Sequence, residues 1–369
     1  KIDAAGNKTT YASGGYGSLS YAVGGQPIGQ AKFREIEHLA LSTVSGVDYL
    51  YISDRNTIRK VNLTTNLVFY VAGSYNWSSQ IVNGTPTQTR FRDIRDIAVA
   101  ADGTTVYVTD NNTIRKIALV DGAYVSSILT GIDTNDWRET NGTLSQARFM
   151  GPTGIAIDTN GDLIVREYGA LRKIDIDGDS VTTILNTTWA RGDVSVDSSN
   201  NIYFSDYDNH KLFEYSAEGE LFVIIDSSGG SGTVDGILKD AKIYRPYEII
   251  VSATELAFVE YKSGGSLRKI DFVNKLRIPA GQLTGTFTLN IEDDSKYEVD
   301  ETILLKVTAA DKVAFNSSTV IKTLTIDSED TAPVVSLTAS NSLINEEGGT
   351  TILTFQLGDA GESGSRLDM

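Results

Sequence analysis

The chain contains no cysteine, which excludes a disulfide framework and any thiolate metal site. Histidine is nearly as scarce: His38 and His210 are the two copies in 369 residues. Positive charge is in deficit, with Lys and Arg numbering 32 against 48 Asp and Glu, for a net charge of −16. That balance repels phosphate backbones and anionic lipid surfaces, so nucleic acid is not expected as a partner. No apolar run approaches the roughly 20 residues needed to cross a bilayer, so no direct membrane insertion is expected. Lys1, Ile2 and Asp3 form neither an initiator methionine nor a signal peptide. A processed export signal or a fragment of a longer protein with further tandem domains is expected. With 40% hydrophobic residues the chain can bury more than one core.

What the chain does have is internal repetition. A short run ending in an acid recurs as Tyr51-Ile52-Ser53-Asp54, Tyr107-Val108-Thr109-Asp110, Ile164-Val165-Arg166-Glu167, Tyr203-Phe204-Ser205-Asp206 and Phe258-Val259-Glu260. Each is followed by an amphipathic run such as Ile58-Arg59-Lys60-Val61, Ile114-Arg115-Lys116-Ile117 or Leu171-Arg172-Lys173-Ile174. A third strand-like element precedes each pair, at 36–41, 94–99, 154–158, 193–196 and 247–251, and in four of the repeats a fourth follows. These runs are short, rich in β-branched and aromatic residues, and bounded by Gly, Asn or Asp, which marks strands. Four strands per repeat, at a period of roughly 40 to 58 residues, point to the radial blades of a β-propeller.

The order Ala-x-Phe, Ile-Ala-x-Asp, Tyr-x-x-Asp, Ile-Arg-Lys-Ile resembles the NHL repeat propeller over residues 1–275. Gln30-Ala31-Lys32-Phe33, Thr89-Arg90-Phe91 and Gln146-Ala147-Arg148-Phe149 carry the opening part of that pattern. Acids and basic residues that recur in every blade are expected to maintain blade geometry, the acid accepting hydrogen bonds from a turn or from the neighbouring Arg-Lys strand. Five blades are visible. Residues 9–13 resemble a fourth strand that closes the ring on the last blade; a sixth blade, the commoner number in the family, would lie upstream.

From about Leu276 the period is lost. Alternating strands at 286–291, 303–308 and 320–326 flank two acidic clusters and indicate an antiparallel sandwich. Residues 276–331 resemble the second half of a Calx-beta domain, an immunoglobulin-like β-sandwich, and residues 332–369 resemble the opening strands of another copy with a polar tail. The resemblance implies Ca²⁺ held by Asp293, Asp294, Glu298, Asp300 and Glu301 together with Asp327, Glu329 and Asp330. Independently, carboxylates crowded at one edge repel one another unless a cation neutralises them, and Ca²⁺ takes about six to eight oxygen ligands.

The two histidines fall at different places in the repeat, so a shared imidazole centre is not expected, and each is expected to be a surface or packing residue. Neither a cysteine nucleophile nor a Gly-x-Ser-x-Gly elbow is available. The long loops between repeats are aromatic, and Trp77, Trp137, Tyr75 and Tyr16 are the candidate ligand-binding residues, suited to stacking on a sugar or anchoring a protein. The expected function is therefore a non-catalytic extracellular or cell-surface binding and adhesion scaffold for a protein or glycan. The competing reading is an extracellular metal-dependent lyase or lactonase that works through the propeller channel.

Overall fold

The computed structural model describes residues 25–133, 138–227, 232–235, 241–261 and 265–271. It also describes, as backbone, four strands further on. The chain divides into two compact units, Lys1–Asp271 and Phe272–Met369.

The first unit is a five-blade β-propeller, in agreement with the repeat. Blade one holds β1 (Gln26–Pro27), β2 (Ile36–Val44), β3 (Val47–Asp54), β4 (Thr57–Asn62) and β5 (Leu67–Gly73). Blade two holds β6 (Ile94–Val99), β7 (Val106–Asp110), β8 (Thr113–Val120) and β9 (Ala123–Gly131). Blade three holds β10 (Gly154–Ile157), β11 (Leu163–Glu167), β12 (Ala170–Asp175) and β13 (Ser180–Asn186). Blade four holds β14 (Val194–Val196), β15 (Ile202–Asp206), β16 (Lys211–Tyr215) and β17 (Leu221–Asp226). The described part of blade five holds β18 (Pro246–Val251), β19 (Glu255–Glu260) and β20 (Ser266–Asp271). Within each sheet neighbouring strands are antiparallel and, β1 apart, joined in chain order.

Cores form between blades because each sheet alternates its apolar residues between two faces. Tyr51, Ile58 and Val71 of blade one meet Ile94, Ile97 and Val106 of blade two. Ala98 and Tyr107 meet Ile155, Leu163 and Val165 at the next junction, and Ile164 and Leu171 meet Val194, Ile202 and Phe204 at the one after. Each fully buried side chain of this size contributes about 1.5–3 kcal/mol.

The recurring acids act as the repeat implied. Asp54 accepts the backbone N–H groups of Arg34 and Glu35, Asp110 those of Arg92 and Asp93, and Glu167 that of Met150. The neighbouring arginine closes each clamp: Arg59 on Asp54, Arg115 on Asp110, Arg172 on Glu167 and Arg268 on Glu260. In the first three blades it also lies over the opening Phe33, Phe91 or Phe149 ring. Blade four solves the same position differently, with Phe213 stacked on Phe204 at 4.9 Å.

Between blades the linking loop adds a short edge to the next blade's outer strand, as β1 does on β5, Gly84 on Ser126 and Gly142 on Val181. Gly131 sits at φ +87°, where a Cβ would press on the backbone of Asn112 and Thr113, so the outer strand needs glycine to end there. Leu39 and Leu41 on β2, and Ile250, Val259 and Leu267 in blade five, stay exposed on the flanks of the first and last blades. The expected closing strand at 9–13 lies outside the described residues.

In the second unit, β21 (Glu301–Lys306) pairs with β22 (Ile321–Ile326), and β23 (Val335–Ala339) with β24 (Leu353–Leu357), both antiparallel.

Candidate functional site

The inner strands bring five equivalent positions together at one end of the propeller axis. They are His38 on β2, Asp96 on β6, Gly154 on β10, Asp193 just ahead of β14 and Glu248 on β18. The first four each face the residue that precedes the recurring acid. His38 N–H donates to Ser53 Oγ at 2.9 Å, Asp193 N–H to Ser205 Oγ at 2.8 Å, Asp96 pairs with Thr109, and Gly154 with Arg166. In β2, β6 and β18 the register shifts at this point, between Ile36 and Leu39, Ile94 and Asp96, and Pro246 and Ile249. A bulge of this kind re-aims a side chain out of the plane set by alternation, here toward the axis.

Gly154 makes room for its neighbour. A Cβ built there would lie 2.8 Å from Asp193 Oδ1 and 2.9 Å from both Asp193 Cα and Val194 N. The two aspartates are held by backbone donors from two blades each. Asp96 accepts Ile97 N–H and, from blade three, Ile155 N–H, both at 2.7 Å. Asp193 accepts Val194 N–H at 2.7 Å and, from blade five, Ile249 N–H at 2.8 Å.

His38 is 3% exposed, Asp96 6% and Asp193 7%, whereas Glu248 is half-buried at the rim. His38 Nδ1 lies 2.7 Å from Glu248 Oε1 and 3.7 Å from Asp96 Oδ1. Neither approach makes a well-aligned hydrogen bond, so Nδ1 is a buried polar atom in charge contact only. Burial and the Glu248 charge push the Asp193 carboxyl up to about 7. Burial, with Asp193 and Glu248 behind it, also holds Asp96 well above the usual carboxylate range. Burial opposes protonation of the imidazole, but the adjoining Glu248, with Asp193 and Glu37, overcomes it and raises His38. The cluster is thus short of positive charge, and a hard or borderline cation would relieve it.

The cluster lies near the starts of the inner strands, the end at which the loops joining one blade to the next arrive. An aromatic group stands beside it. Tyr247 lies 6.1 Å from His38, Tyr207 is edge-on to Tyr247 at 6.0 Å, and Tyr261, 62% exposed, is 5.7 Å from Tyr207. Arg191 and Arg245 lie over the Tyr207 ring at 4.6 and 5.3 Å. At the opposite edge, a cleft of about 450 Å³ between blades three and four is lined by Asp158, Lys173, Asn200 and Tyr215. There Lys173 is already neutralised by Asp158 at 3.0 Å and Asp162 at 2.8 Å.

Of the residues singled out in the sequence, Trp77 is 68% exposed on the loop after β5. Tyr75, expected on the ligand-facing loop, is buried instead: its hydroxyl donates to the Asp54 carboxylate, and Arg34 lies over its ring. Tyr16 and Trp137 lie outside the described residues, as do Asp293, Asp294, Glu298, Asp300, Asp327, Glu329 and Asp330. Glu301 opens β21, where its backbone pairs with Ile326.

His210 is a packing residue, stacked on Tyr244 at 5.0 Å and accepting Arg245 N–H at Nδ1. His38 is buried at the axis, where three acids join its single imidazole; sequence reading missed that meeting. Trp189 was also missed. It is 71% exposed, 6.2 Å from Tyr168, on the loop between blades three and four.

No family model matches the sequence, and no curated protein matches it. The propeller is similar to solved structures. One is a protein of unknown function from Bacteroides thetaiotaomicron, with 16% identity, TM-score 0.51, 71% of this chain and 61% of that one covered. An auxiliary nutrient-binding protein from the same organism has 13% identity and TM-score 0.51, with 67% of this chain and 57% of that one covered. Another, from Bacteroides ovatus, has 16% identity, TM-score 0.51 and the same coverage. This chain therefore spans about three fifths of the length of those proteins, and the likeness establishes the propeller fold.

Proposed function

We propose that this chain is a non-catalytic binding and adhesion scaffold of the cell surface or extracellular space, taking a protein or glycan on the loop edge of the propeller. One observation carries the reading. Trp77 and Trp189, two large apolar side chains, stand about two-thirds exposed on loops of that edge while the blades beneath are rigidly clamped. Tyr261 and Tyr247 extend the aromatic surface toward the axis. Binding is a use this fold supports, since two propellers of similar shape are described as auxiliary nutrient-binding proteins. The repeat is of NHL type in this reading, and nucleic acid is not a partner.

The second unit is Calx-beta-like in this proposal and holds Ca²⁺ through Asp293, Asp294, Glu298, Asp300, Glu301, Asp327, Glu329 and Asp330. The pairing of Glu301 with Ile326 supports it, because positions 300 and 327 flank that pair in sequence. The lyase or lactonase reading keeps one observation in its favour, the His38, Asp96 and Glu248 cluster.

Screening the intact chain against glycan and protein arrays tests the scaffold. A hit that weakens about tenfold or more on Trp77→Ala or Trp189→Ala, with the unfolding transition unchanged, supports it. Turnover of the bound molecule, or hits indifferent to both substitutions, sinks it.

A further inference from the structure

We propose that His38, Asp96 and Glu248 form a binding site for one divalent transition-metal ion, of the zinc, cobalt or manganese class, at the loop end of the propeller axis. Nδ1 of His38 and one carboxylate oxygen from each acid all lie within 4.8 Å of one another. A metal with bonds of about 2.0–2.2 Å draws such a set together with small side-chain movements.

The donors are built for this in different ways. Asp96 is fixed by two backbone N–H groups, which take one lone pair on each oxygen and leave the other pair on Oδ1 toward His38. His38 is buried with its Nδ1 held in charge contact with Glu248 and Asp96 but without a well-aligned hydrogen bond, so a metal would give that atom the directed partner it lacks. Glu248 is half-buried, the most solvent-accessible of the three donors. Asp193 stands beside Asp96, and its carboxyl acts on both Asp96 and the imidazole.

The imidazole decides the class of ion. Ca²⁺ and Mg²⁺ take oxygen ligands, whereas one nitrogen with two carboxylates suits zinc, cobalt and manganese. Three protein ligands would leave further positions on the metal for a water or another ligand.

The presence of only two histidines makes the site directly readable. The intact chain, stripped with chelator, is titrated with Co²⁺ while the ring proton signals of His38 and His210 are followed by NMR, assigned with His210→Asn. The proposal expects one equivalent to shift or broaden the His38 ring and leave His210 unchanged. Calorimetry with Zn²⁺ then expects Glu248→Gln, a mild change at the rim, to weaken this binding by about tenfold or more. Co²⁺ that leaves the His38 ring unperturbed, or Glu248→Gln binding Zn²⁺ as tightly as the parent, overturns it. Metal held by the acids of the second unit leaves His38 silent and so counts against it. Neither readout involves the protein or glycan ligand, so this site and the scaffold reading fail separately.

Discussion

The Asp193 carboxylate of blade four accepts the Ile249 amide of blade five at 2.8 Å, and this bond ties two sectors of the propeller together near its axis. Asp96 does the same for Ile155 between blades two and three. Charged side chains near the axis therefore hold blades together as well as crowding one another.

Asp193→Ala leaves the Val194 and Ile249 amides without their acceptor in a buried setting. Orphaning such donors costs about 1–3 kcal/mol, net of the relieved repulsion among the acids. Urea unfolding of the propeller checks this. Unchanged stability would mean that the bonds between blades contribute nothing.

Gly154→Ala is expected to destabilise the propeller by about 1–3 kcal/mol, because the new methyl meets backbone atoms of Asp193 and Val194 that cannot rotate away. Ordinary glycine-to-alanine changes at open positions are stabilising or neutral. Thermal unfolding of Gly154→Ala beside an alanine at exposed Gly29 separates the two cases.

Glu167 gives the propeller a pH dependence. Burial pushes its carboxyl up to about 7 even though Arg172 lies 2.7 Å away. Between its ordinary value of 4.5 and about 7 the folded chain holds a proton that the unfolded chain has lost. Unfolding thus releases a proton, and this group's contribution to stability falls as pH rises through that window. Glu167→Gln is expected to lower stability overall, because it leaves Arg172 buried without a counter-charge, yet to flatten this part of the pH profile. Denaturant curves at several pH values check the slope; an equal slope in both proteins contradicts the assignment.

The blades were legible in the sequence and their axis was not. Runs such as Tyr107-Val108-Thr109-Asp110 followed by Ile114-Arg115-Lys116-Ile117 are rich in β-branched and aromatic residues and recur, so β7 and the start of β8 could be placed within a residue, although β8 runs three residues further, to Val120. The recurring acids and arginines were legible for the same reason, since each blade needs the same clamp. His38, Asp96, Gly154, Asp193 and Glu248 occupy one structural position with unlike residues, so comparing repeats shows no motif there. Three of them also sit at bulges, where alternation no longer reports which way a side chain points. Tyr75 misled for a related reason: an aromatic residue in a loop looks exposed until its hydroxyl finds Asp54.

The first and fifth blades meet through His38 and Glu248, and a double-mutant cycle measures that meeting most directly. His38→Ala, Glu248→Ala and the pair are unfolded in denaturant with chelator present. A coupling energy of about 0.5–3 kcal/mol between these sequence-distant residues is predicted. Effects that simply add, within about 0.3–0.5 kcal/mol, would contradict it.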